Sequence, residues 1–94
     1  MATLYHVFIL PRAGVTREMV ENVLNAAPDW VRYDEKCYVI QTTETAKKWT
    51  DKLLPLVEPD GHLFICKLNA THYYGWMTKV FWDWYQAKAP LASD

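Results

Sequence analysis

The chain has 94 residues, enough for one domain and too few for a second hydrophobic core. Apolar residues make up 51% and aromatic residues 15%, so a core can be built without disulfide or metal staples. Ten basic and eleven acidic side chains leave a net charge of -1, which argues against a general phosphate-gripping nucleic-acid binder. No apolar run approaches the roughly 20 residues of a membrane span.

The first element is a strand from Leu4 to Leu10. Its nearly unbroken run Leu-Tyr-His-Val-Phe-Ile-Leu, stopped by Pro11, marks a central strand buried on both faces. Pro11-Arg12-Ala13-Gly14 reads as a turn. Thr16 then serves as the N-cap of a helix whose Glu18 and Glu21 suit the positive end of the helix dipole. Val15, Met19, Val23 and Ala27, with Val20 and Leu24 beside them, form its apolar face, and Pro28 ends it.

Trp30 to Tyr33 and Cys37 to Gln41 flank the polar turn Asp34-Glu35-Lys36 and read as a hairpin. Thr42-Thr43-Glu44-Thr45 offers N-caps for a second helix with Ala46, Trp49, Leu53 and Val57 as its buried stripe. Lys47, Lys48, Asp51 and Lys52 take its wetter side, and Pro55 loosens or ends its last turn. Glu58-Pro59-Asp60-Gly61 is a turn, and His62 to Leu68 a further strand. An Asn69–Tyr74 loop and Gly75-Trp76-Met77-Thr78 lead into an aromatic helix from Lys79 to Lys88.

The order β-α-β-β-α-β with one extra C-terminal helix predicts an α+β, ferredoxin-like fold. It has a four-stranded antiparallel sheet, two helices on one face, and the first and third strands in the middle. One domain over residues 1–88 and a flexible tail over 89–94 are expected. The stretch Met1-Ala2-Thr3-Leu4 lacks a basic segment followed by a long apolar one, so a soluble cytoplasmic protein is expected. Cys37 and Cys66 have no metal-ligand or redox spacing and lie on separated strands. They are read as small hydrophobes without a mutual disulfide.

Four segments together resemble a known family. They are the apolar first strand, Trp30-Val31-Arg32-Tyr33 with Cys37-Tyr38-Val39-Ile40-Gln41-Thr42, Leu53-Leu54-Pro55-Leu56 before Pro59-Asp60-Gly61, and Gly75-Trp76-Met77-Thr78-Lys79 with Phe81-Trp82-Asp83-Trp84. The combination resembles the SinR-like proteins, relatives of the small CRISPR-associated adaptation nucleases. Its most specific part is the Gly-Trp-x-x-Lys-x-x-Trp-x-Trp pattern over residues 75–84. The resemblance implies homodimers and, in the nuclease members, a metal-dependent cut in RNA or DNA. Those members use an aspartate near the end of the first strand to hold a hard divalent cation. Here Leu10 stands near that position, and no Asp or Glu occurs between Met1 and Arg17. No catalytic residue, metal or cofactor is therefore assigned.

His6 is read as a histidine satisfied within the sheet, and His62 and His72 as solvated turn residues. Asp29, Asp34, Glu35, Glu58 and Asp60 are read as loop and turn carboxylates. Arg12, Arg17, Arg32 and Lys79 are the candidate anion-binding residues, Arg12 because it directly follows the first strand. The least ordinary feature is the set Tyr73, Tyr74, Trp76, Phe81, Trp82, Trp84 and Tyr85. One helix cannot hide all of these against a single small sheet, with Phe81 and Tyr85 on one side and Trp82 and Trp84 pointing apart. The set is the candidate dimer or partner interface, preferred over base stacking because the chain lacks a basic excess.

The expected function is that of a non-catalytic homodimeric interaction protein, an accessory or inhibitory factor of a bacterial defence system or mobile element, with a protein or nucleic-acid partner. The alternative is a metal-dependent endoribonuclease or toxin–antitoxin component of the same fold, cutting through groups such as His6, Tyr5 or Arg12. A metabolic regulator binding a small ligand between subunits is a third reading, for which no ligand signature is visible.

Overall fold

The computed structural model describes residues 2–91. Strand β1 (Thr3–Leu10) is followed by helix α1 (Arg17–Leu24), strands β2 (Asp29–Asp34) and β3 (Cys37–Thr42), helix α2 (Ala46–Leu53), strand β4 (His62–Lys67) and helix α3 (Lys79–Lys88). The sheet is antiparallel throughout, in the order β2-β3-β1-β4. This is the ferredoxin-like arrangement expected from the element order, with β1 and β3 in the middle. No helix among the described residues is long and apolar enough to cross a membrane.

Alternation along the strands sorts two cores onto the two faces of the sheet. Val7 and Ile9 of β1 and Tyr38 and Ile40 of β3 face α1 and α2. There they pack with Val20, Leu24, Ala27, Trp49, Leu53 and Val57. Leu4 and Val39 belong to the opposite face, where a second buried cluster includes Ala70, Tyr85 and Ala89. Strand β1 is apolar at both parities because α1 and α2 cover one face, while α3 and the loop before it cover part of the other. That second cover lies around Leu4 and leaves Phe64, beside Phe8, 62% exposed.

Caps set the helix starts. The hydroxyls of Thr16, Thr45 and Thr78 accept hydrogen bonds from the backbone N–H groups of Met19, Lys48 and Phe81, as N-cap residues do. Helix α2 ends at Leu53, and Leu54–Leu56 tighten into a 3-10 turn around Pro55. Two expectations need correction. Met19 is 41% exposed, because the eight-residue α1 turns only Val20 and Leu24 fully into the core. The tail expected from residue 89 is packed at its start: Ala89–Leu91 form a 3-10 turn, and Ala89 is buried in the second cluster. Residues 92–94 lie outside the described residues.

The β2–β3 ladder carries a bulge. Arg32 pairs with Tyr38 and Asp34 with Cys37, so Tyr33 is the extra residue. The bulge unpairs Tyr33 locally, yet its side chain stays on the same face of the sheet as Val31 and Val39, as strand alternation requires. That residue reaches the site described next.

Candidate binding site on the aromatic face

The loop between β4 and α3 starts on a side-chain-built turn. Asn69 Oδ1 accepts from the backbone N–H groups of Thr71 and His72 at 2.9 and 3.1 Å and from the Thr71 hydroxyl at 3.0 Å. The Leu68 N–H, 2.9 Å from the Leu4 carbonyl, ties the loop's base to β1. At the far end, Thr78 caps α3, and Lys79 bridges to Asp83 one turn on at 2.7 Å. Lys88 anchors the other end of α3 to Asp29 of β2 at 2.8 Å. That hydrogen bond is the main reason the Asp29 carboxyl titrates below its ordinary value. The buried Trp84 indole N–H makes no hydrogen bond of full geometry but adds a weaker pull on the same carboxylate.

Between these anchors the aromatic rings interlock. Tyr73 stacks on Trp82 with centroids 5.8 Å apart and meets Tyr85 edge-on at 4.6 Å. Phe81 stacks near Tyr85 at 5.7 Å and meets Tyr33 edge-on at 5.4 Å. Edge-to-face and offset contacts of this kind each add about 0.5–1.5 kcal/mol beyond the area they bury. Together they hold a concave surface of about 230 Å³ whose walls include Tyr73, Phe81, Trp82 and Tyr85.

Its polar spot is a pair. His6 Nε2 and the Tyr33 hydroxyl are 2.6 Å apart, with the two rings tilted at 5.7 Å. Burial, and then the neighbouring Cys37 thiol, push the Tyr33 phenol up to about 12, so it stays protonated. Burial lowers the pKa of His6, which favours the neutral imidazole. The phenol is thus the natural donor and the imidazole the acceptor. The Tyr33 oxygen still keeps acceptor capacity.

Titration of His6 has a consequence for stability. Its pKa in the fold lies below the 6.5 of the unfolded chain, so the unfolded state gains a proton first as pH falls. Stability should decline as pH drops below 6.5 and level off below the folded value. Urea midpoints at pH 7.5 and 5.5 should differ for the parent, and His6→Gln should narrow that difference. An unchanged difference would place its origin elsewhere.

The residues expected to act are thus distributed as follows. Tyr73, Phe81, Trp82, Trp84 and Tyr85 cover the sheet, with Trp82 at the cavity and Trp84 away from it beside Asp29. Tyr74 and Trp76 remain 100% and 98% exposed. Arg17 and Arg32 converge on Glu21 at 3.8 and 3.7 Å, whereas Arg12 donates to the Pro55 carbonyl at 3.2 Å and Lys79 is held by Asp83. The four cations are already engaged within the chain. His6 is satisfied within the sheet as expected, and Asp34 accepts from the Glu35 N–H in its turn. Cys37 and Cys66 are free thiols on β3 and β4, either side of β1. Sequence reasoning did not single out Tyr33: alternation with Val31 puts it on this face, but its contact with His6 spans 27 positions and leaves no local pattern.

No family model matches the chain, and no curated protein or solved structure is significantly similar to it.

Proposed function

We propose that this chain is a non-catalytic, homodimeric interaction protein of the cytoplasm that engages its partner through the aromatic loop before α3. The observation that carries the reading is the complete exposure of Tyr74 and Trp76 beside a concave surface of interlocked rings. Large rings left in water next to an apolar hollow mark contact surfaces. Trp and Tyr dominate such contacts because they bury much area at little rotamer cost. A net charge of -1 and the internal pairing of Arg12, Arg17, Arg32 and Lys79 favour a protein over a nucleic-acid partner. Leu10 at the end of β1 supplies no oxygen ligand for a divalent cation, which weighs against the nuclease alternative. The resemblance to SinR-like proteins supports an accessory or inhibitory role in a bacterial defence system or mobile element.

The test pairs two measurements on one preparation. Labelled single-stranded RNA, single-stranded DNA and duplex DNA are incubated with and without magnesium or manganese, beside light scattering on the eluted protein. Intact substrates and a mass twice the 11.0 kDa of the chain are expected. Metal-dependent cutting that co-elutes with the protein would overturn the non-catalytic reading and restore the endoribonuclease alternative.

A further inference from the structure

We infer that the hollow where the end of β1 meets the start of α1 and the β2–β3 turn binds a small monocarboxylate with a short apolar tail. The site lies on the helix side of the sheet, apart from the aromatic loop. It calls for no second copy and no partner protein.

Three chain segments build the walls. Ile9 and Leu10 end β1, Val15 and Val20 flank the start of α1, and Lys36 and Tyr38 come from the turn and the strand after it. Together they line a cavity of about 240 Å³. The Ile9 N–H donates to the Lys36 carbonyl at 2.9 Å, so the turn is fixed beside the end of β1. Ile9 and Val20 are each 2% exposed, which makes the inner wall apolar and well packed. The volume falls below the roughly 300–1,000 Å³ of pockets for drug-sized ligands, so the tail that fits is short.

The charged rim decides the headgroup. Arg17 and Lys36 both line the cavity. The Nε atoms of Arg17 and Arg32 lie 3.8 and 3.7 Å from the same oxygen of Glu21. Both separations exceed a hydrogen bond, and the Tyr38 hydroxyl already donates to that oxygen at 3.1 Å. Lys36 stands 3.9 Å from Glu35, a rim residue whose side chain is 79% exposed. Three cations therefore share two carboxylates, and neither guanidinium fork is filled among the described residues. A surplus of one positive charge suits a monoanion, whereas a phosphate dianion would bring one charge too many. A carboxylate is planar and accepts two parallel N–H bonds from an arginine fork. Its alkyl tail would take the apolar wall out of water. The ligand is thus defined at both ends, by an unfilled fork and by an uncharged wall.

Titration of the isotope-labelled full chain with sodium hexanoate, at neutral pH and constant ionic strength, tests the site by nuclear magnetic resonance. The backbone amide signals of Val15, Arg17 and Lys36 should shift saturably. Acetate has the charge without the tail, and hexanol the tail without the charge. Each should bind at least about tenfold more weakly than hexanoate. Arg17→Gln should raise the hexanoate dissociation constant about tenfold, the loss of a charge-assisted hydrogen bond. Its urea midpoint should match the parent's, because an ion pair at 3.8 Å on a side chain 57% exposed adds little to stability. No saturable shift with hexanoate would overturn the site. Acetate or hexanol binding as tightly as hexanoate would overturn the two-part recognition. An unchanged dissociation constant in Arg17→Gln would overturn the seating of the carboxylate on that guanidinium.

Discussion

Trp49→Ala should cost about 3–5 kcal/mol, the range for removing a fully enclosed large ring. Trp49 has no exposed surface and sits where α2 meets the sheet, among Leu53, Val57 and the helix-side residues of β1 and β3. It is also bonded: the indole N–H donates to the Thr42 hydroxyl at 2.9 Å, and the same oxygen accepts from the Glu44 N–H at 3.1 Å. That bond joins the end of β3 to α2 and steers the chain into the helix that Thr45 caps. The ammonium of Lys52 lies 4.7 Å from the ring centroid, closing its outer side. A small domain holds about 5–15 kcal/mol in total, so the variant should lose a large share of its stability margin. Trp49→Phe retains most of the volume and loses the hydrogen bond, and should cost about 1–2 kcal/mol. Urea unfolding followed by far-UV circular dichroism measures both. A Trp49→Ala loss below about 1 kcal/mol would show that the ring is not enclosed as described.

The second large effect belongs to Gly61. A Cβ placed there would lie 2.2 Å from the Leu10 carbonyl oxygen, 2.8 Å from that of Val57 and 3.1 Å from the Arg12 nitrogen. All three are backbone atoms, which cannot swing aside as a side-chain tip would. They are themselves bonded: Gly61 N–H donates to Val57 at 2.6 Å, and Arg12 N–H to Leu56 at 2.8 Å. The segment joining α2 to β4 is thereby laced to the end of β1. Gly61→Ala should force the two apart and cost at least about 2–3 kcal/mol, in the upper range of overpacking effects. Gly14 provides the comparison. Its φ of +88° strains an alanine, but no atom lies within 4 Å of the added carbon. Gly14→Ala should therefore cost only about 1–2 kcal/mol, the conformational penalty alone. Equal losses in the two variants would refute the close approach at Gly61.

The sequence by itself determined the element order, and with it the sheet. Period-2 and period-3.6 patterns, threonine caps and proline stops are local signals, and each element here carries one. The apolar β1 run required a central strand covered on both sides, and the surplus of rings after Gly75 required something to cover the second face. Local signals do not encode distances between segments remote in the chain. Tertiary structure alone decided that the Tyr33 phenol meets His6, 27 positions away. It likewise decided that Arg32 reaches Glu21, because that pairing depends on where α1 lies against β2, whereas Arg17 meets Glu21 as its local i,i+4 neighbour. The division among the rings was also beyond local reading. Which of seven aromatic side chains are covered depends on how α3 lies across the sheet. Its Lys88–Asp29 anchor and Asn69-built loop set that position, leaving Tyr74 and Trp76 in water.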